Sequence, residues 1–254
     1  MFLRRISKHM QDQNWFAVGL DLFIVVIGVF IGIQVANWNE DRVFDEKEAE
    51  LLLELKREIE AATDSTNNRR DAHLQVIESA RRSIAFIDDG ESCGTECWPV
   101  LVDFFHASQW QSVSVSRTTY DEMRRLGLPR SREIVDAVEA YLAQNTNVSS
   151  VMIDKPAYRT HVRSLMPLEV HDTYWAACYV LEEGEDYYVS DCPKGVPDAL
   201  AASTVNTIVR DPDIRRYLTF WYSEVAPVPS ALSDQSMAAS RAIAAIDAVL
   251  NGPQ

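Results

Sequence analysis

Residues 20–40 read "LDLFIVVIGVFIGIQVANWNE". Widened to Trp15–Trp38, the stretch is 24 residues long with one formal charge, Asp21. As a helix it spans about 36 Å, more than the roughly 30 Å of a bilayer's hydrocarbon core. A cleaved signal peptide shares the basic start (Arg4, Arg5, Lys8), but its apolar core is about 7 to 15 residues and ends in a small-x-small site. This run leads instead into Gln34, Asn37, Trp38 and Asn39, so an uncleaved single-pass anchor is expected. Trp15 and Trp38 then fall at the two interfaces, where indoles are enriched.

Two residues in the span are ones a bilayer disfavours, Asp21 and Gln34, and Gly28 and Gly32 form a G-x-x-x-G pair. Asp21, Gly28 and Gly32 are spaced by seven and four residues, which puts them on one helix face. Small residues let a second backbone approach, and Gln34 on a neighbouring stripe can bond across helices. A helix–helix interface with another membrane protein or with copies of the chain is the expectation. The competing reading has Asp21 reaching the headgroups and the glycines incidental.

Three basic residues precede Trp15, against Arg42 and Lys47 among many acids in residues 39–48, so the N-terminus is expected on the cytoplasmic side. The chain carries −14; residues 1–14 contribute +2 and the span −1, leaving −15 on residues 39–254. That field repels phosphate backbones and anionic lipid surfaces, which argues against nucleic acid as a ligand. Solubility alone accounts for a charge of this size.

Cys93, Cys97, Cys178 and Cys192 allow three pairings. In an oxidising compartment two disulfides are expected, and nearest neighbours fit best. Gly94 permits a tight ring in "CGTEC", and the midpoint of 178–192 falls beside Gly184, as in a two-stranded ribbon. Zinc is the rival, but no repeated CxxC spacing supports it, and no metal or cofactor is predicted.

The rest reads as mainly α-helical. The predicted division is a cytoplasmic N-terminus (1–14), a transmembrane helix (15–38), a stalk helix (39–88) and an extracytoplasmic helical domain (89–254) with the small β-ribbon. Leu52, Leu55, Ile59 and Ala62 make one apolar stalk face, and Leu74, Ile77, Ile84 and Ile87 resume it out of phase across "TDSTNNRR" (63–70), suggesting a stutter or bend. That face either forms a coiled coil between copies or packs on the chain's own later helices. "DDGESCGTECWP" (88–99) ends the stalk. Thereafter Thr118 is expected to cap one helix and Ser131 the next, whose Ile134, Val135, Val138, Tyr141 and Leu142 share a face. Residues 147–166 read as a helix kinked at Pro156. "DPDIRRYLTFWY" (211–222) starts another, capped by Asp211 and closed by Pro227 and Pro229, and an alanine-rich helix fills about 230–251.

Two stretches carry a family resemblance. "LDLFIVVIGVFIGIQVANWNE" resembles the acidic residue, Gly-containing apolar run and Gln-x-x-Asn-Trp-Asn-Glu ending of a family of bacterial single-span membrane proteins of unknown function, the DUF6090 type. "TTYDEMRRLGLPRSREIVDAVEAYL" (118–142) is similar to that family's threonine-tyrosine-acidic helix, glycine break and following helix. Together they cover under a fifth of the chain and leave out the cysteines. The resemblance implies a bacterial cytoplasmic (inner) membrane protein with a periplasmic helical domain, and it implies no activity.

Catalytic signals are thin. His9, His73, His106, His161 and His171 form no HExxH, and Asp103-x-x-His106 is half of a motif that needs two copies. Glu182, Glu183 and Asp186 beside a turn suit either calcium or solvent. Tyr174, Trp175, Tyr179, Tyr187 and Tyr188 suit either a ligand or packing of the ribbon. Three functions follow in order: an envelope interaction, scaffold or accessory subunit; a ligand-sensing ectodomain signalling laterally through a membrane partner; and an envelope enzyme.

Overall fold

The computed structural model describes residues 15–90, 92–112, 114–182 and 185–252; the side chains of Trp15 and Asp21, and all of His9, Glu183 and Gly184, lie outside the described part. The architecture is mainly helical with one small antiparallel ribbon. Helix α1 runs unbroken over Trp15–Asp89, and the chain divides after Leu51 into two compact units.

In the first unit α1 is bare along its apolar run, and among its described residues only Glu48 and Leu51, near the end of the unit, are buried. Its large apolar residues from Leu20 to Val35 are between 40 % and 64 % exposed, and Trp38 is 68 % exposed. Beyond the apolar run, Arg42 pairs with Glu46 and Lys47 with Glu50, one turn apart on the helix surface.

In the second unit the remainder of α1 is a scaffold strut. Leu52, Leu55, Ile59, Val76, Ile77 and Ala80 are all at most 5 % exposed, so this face packs on its own chain. No stutter interrupts it. The inward seam steps 52, 55, 59, 62, 66, 69, 73, 76, 80, 83, 87, in strict alternation of three and four. The apparent phase slip arises because polar Thr66, His73 and Ser83 occupy seam positions and are at most 2 % exposed, whereas Leu74 is 46 % exposed. Gly90, at φ 64°, turns the chain out of α1.

Eight shorter helices follow among the described residues: α2 (Cys97–His106), α3 (Thr118–Arg125), α4 (Arg132–Val151), α5 (Ala157–Ser164), α6 (Leu168–Ala177), α7 (Asp198–Arg210), α8 (Ile214–Val225) and α9 (Val228–Leu250). Between α6 and α7 lies the ribbon of β1 (Tyr179–Glu182) and β2 (Glu185–Tyr188), in the register Tyr179 opposite Tyr188. Helix α9 lies along α4, α7 against α2, and α8 against α5. Ties back to α1 are Lys56 to Asp247 at 2.7 Å, Arg82 to Asp103 at 2.6 Å and Arg215 to Asp88 at 2.5 Å.

Local chemistry sets the ends. Ser131 Oγ accepts from Ile134 N–H and caps α4, whose five predicted inward residues are buried. Thr118 is not a cap: it is the first residue of α3, and its N–H donates to Ser116 Oγ. Gly127, at φ 78°, ends α3 in a Schellman turn, with Leu128 N–H on the Met123 carbonyl at 2.8 Å. Pro156 does not kink a helix over 147–166 but separates α4 from α5, because it cannot supply an interior N–H and disfavours helix in the residue before it. Asp211 Oδ1 accepts from Asp213 N–H at 3.0 Å, one turn ahead of α8. Pro227 and Pro229 open α9 instead of closing α8, as suits a first turn.

Candidate functional site

The predicted membrane-helix face lies on the bare part of α1. Helix geometry keeps positions 21, 28 and 32 on one side. A methyl group added at Gly28 or Gly32 would meet nothing within 4 Å, and Gln34 is exposed. The helix is long and apolar enough to cross a bilayer.

A second constellation, absent from the sequence-based candidates, lies in the helical unit. Arg159 and Arg163 sit one turn apart on α5, on one face. Opposite them α2 ends at His106, and a tight turn, with Ser108 N–H on Phe105 O and Gln109 N–H on His106 O, presents Ser108 and Gln109. Trp221 Nε1 donates to Ala107 O at 2.9 Å and pins that turn. Arg159 Nη1 donates to Ser108 O at 2.8 Å and Gln109 Oε1 at 3.2 Å. Arg163 Nε donates to Ser108 Oγ at 2.8 Å and its Nη2 to Gln109 Oε1 at 3.0 Å. Gln109 Nε2 in turn donates to the Tyr174 hydroxyl at 2.9 Å. The Arg163 guanidinium also lies 4.5 Å from the Phe105 ring centroid and 5.3 Å from that of Trp175.

Two cations thus converge on one neutral amide oxygen. Both donate to Gln109 Oε1, at 3.2 and 3.0 Å, so the two like charges are held close together and repel each other. Among the described residues no carboxylate lies within ion-pair distance of either. Asp186 acts on Arg159 only at longer range and accepts from the Tyr179 hydroxyl at 2.5 Å. Burial, and secondarily Arg159, pulls the Arg163 guanidinium down to about 9. Burial lowers Arg159 in the same direction. The sequence carries only a faint signal: Arg159, His161 and Arg163 fall in an acid-free stretch between Asp154 and Glu169, but residues 104–120 and 140–153 lack acids as well.

The other candidates resolve into structural roles. Cys93 is bonded to Cys97 and Cys178 to Cys192, with Cα separations of 4.8 and 5.0 Å; the second bond closes the base of the ribbon. Asp103 is taken by Arg82 in two hydrogen bonds, so it and His106 do not form half of a metal site. His106 and His73 are buried with Nε2 unpartnered, and burial, the largest influence on each, pulls both to about 4. His161 bonds Asp211 at 2.8 Å and His171 faces Arg163 O at 3.0 Å. Tyr174 stacks on Phe105 with centroids 3.6 Å apart, Trp175 meets Tyr179 edge-on, and Tyr188 is buried and accepts from Gln111 at 3.0 Å. The aromatic patch is therefore largely ribbon packing. Outside it, a groove of about 290 Å³ runs beside α1, lined by Leu74, Gln75, Ser79, Arg82, His106 and Ser190.

These features define a class, a helical domain with two disulfides and one membrane-length helix. Comparison with known protein families, with curated proteins and with solved structures finds no match to this chain.

Proposed function

We propose that the chain is a membrane-tethered interaction module, an accessory or scaffold subunit of a bacterial envelope complex. Its N-terminus is cytoplasmic, its first helix spans the inner membrane and its acidic helical domain faces the periplasm. One observation carries this reading: an apolar run over Leu20–Val35 that none of the described residues covers. In water such a surface would aggregate, and in a bilayer it is at rest. The basic flank before Trp15, the two disulfides and the resemblance to the DUF6090 type support the orientation and compartment. The bilayer and a neighbouring membrane helix are its partners in this scheme.

Protease added to spheroplasts is expected to digest the domain, and mild detergent extraction to bring down a stoichiometric membrane partner or a second copy. A domain that stays protected, or a protein that runs alone under native crosslinking, sinks the proposal. The alternative, a ligand-sensing ectodomain, is favoured by the uncompensated Arg159 and Arg163 pair.

A further inference from the structure

We infer that Arg159 and Arg163, with the 108–109 turn behind them, form a binding site for a small oxyanion, the phosphate or carboxylate group of a soluble molecule. The inference does not depend on the membrane placement.

Both guanidiniums are held in place entirely by neutral acceptors. Ser108 O, Ser108 Oγ and Gln109 Oε1 take Arg159 Nη1 and Arg163 Nε and Nη2. Arg159 Nε and Nη2 and Arg163 Nη1 donate to no acceptor among the described residues, and none of them is sealed from solvent without a partner. The Nε–Nη2 edge of Arg159 is the fork that matches a carboxylate or phosphate with two parallel hydrogen bonds. Arg163 is braced by the faces of Phe105 and Trp175, so its orientation is set before any ligand arrives and little order is lost on binding.

A purely structural brace does not need this arrangement. Elsewhere in the unit, three cross-element ties made by Arg or Lys end on carboxylates, Arg82 on Asp103, Arg215 on Asp88 and Lys56 on Asp247, and Arg81, which donates to the Tyr222 hydroxyl, also pairs with Glu78. In a chain with 38 acidic against 24 basic residues, two cations sharing one amide oxygen is the exception. An anion there would neutralise the pair and satisfy the idle N–H groups at once. The general negative field disfavours anions everywhere else on the domain, so a bound oxyanion would concentrate at this point.

The test uses full-length, detergent-solubilised protein, titrated with inorganic phosphate, citrate and short-chain phosphatidylglycerol, with calorimetry and thermal melting as readouts. Saturable stabilisation by phosphate or citrate is expected, weakened roughly tenfold or more in Arg159→Gln and Arg163→Gln and less in Arg163→Lys. Gln109→Glu supplies the missing charge from within and keeps the fold falsifiable should the arginine variants unfold. It should raise the melting temperature without ligand and abolish the response to phosphate. Equal responses in wild type and Gln109→Glu, or no saturable response in wild type, overturns the site. A response confined to phosphatidylglycerol assigns the pair to lipid headgroups and overturns the soluble ligand.

Discussion

The first and later parts of helix α1 invert the usual relation between polarity and burial. From Leu20 to Val35 the helix is made almost wholly of Leu, Ile, Val and Phe, and all of them are exposed. From Leu52 onward it is rich in charge, yet Thr66, His73, Ser79 and Ser83 are buried to within 2 %. One backbone conformation serves both, so burial here follows what surrounds each stretch and not what the residues prefer in water. The bare stretch is complementary to a hydrocarbon solvent, whereas the later one is half of a protein interior: Leu55 and Ile59 face Tyr120 of α3 and Val138, Tyr141 and Leu142 of α4, and ion pairs tie α1 to α2, α8 and α9. Polar seam residues survive there because partners exist for some of them: Thr66 donates to Ala62 O and accepts from Gln235.

The same substitution in the two places should therefore act on different observables. Ile59→Asp puts an unpaired charge into the seam and removes a packed side chain, and is expected to cost more than about 4 kcal/mol of domain stability in a urea melt. Ile31→Asp should leave that melt unchanged and instead cost about 2.5 to 3.5 kcal/mol of bilayer insertion, read as protein released by alkaline extraction. If Ile31→Asp destabilises the domain, the bare stretch has a protein partner within the chain and the contrast fails.

Much of this could be read beforehand. The helical class, the membrane-length run, the nearest-neighbour cysteine pairs, the two-stranded ribbon and the cap at Ser131 all rest on local spacing, which a single sequence exposes. The seam beyond Thr66 did not, because hydrophobic periodicity selects Leu74, whereas the three-and-four alternation passes through His73 and Val76. Pro156, expected as a kink, is a break between two helices, and Pro227, expected as a stop, is the start of the next helix, because the spacing alone does not say which side of a proline the helix lies on. Arg159 and Arg163 were overlooked because the chemistry lies in what is missing, a carboxylate, and in a turn 50 residues earlier in the sequence.

The buried histidines give the contrast a pH dependence. His73 and His106 are held neutral in the fold, mainly by burial, with values near 4 against an ordinary 6.5. Arg69 adds to the lowering of His73; for His106, Asp103 and the Cys178 carbonyl oppose it. The unfolded chain binds these protons below about pH 6.5 and the folded one does not until about 4. Stability accordingly falls as the pH drops through that window and levels off below it, by about 3 kcal/mol for each histidine. Denaturant melts at pH 7, 5.5 and 4.5 check this, and His73→Gln or His106→Gln should each flatten the profile by about half. The stretch Leu22–Val35 contains no titratable residue, so its helicity should not change over the same range.

The smallest expected effect on the chain itself is at Gly28 and Gly32. A side chain there meets nothing within 4 Å, and leucine favours a helix over glycine by up to about 1 kcal/mol. Gly28→Leu and Gly32→Leu should therefore leave folding and membrane insertion intact. Their effect is expected on association alone, since a close backbone approach by a second helix tolerates no large side chain at the crossing point. Cysteines scanned through residues 22–36 should crosslink with a period of about 3.6 in the parent chain and lose that pattern in the double leucine variant. An unchanged or aperiodic pattern would leave Asp21 reaching for the headgroups as the sufficient account of the span, and any partner would then have to be held by the helical domain.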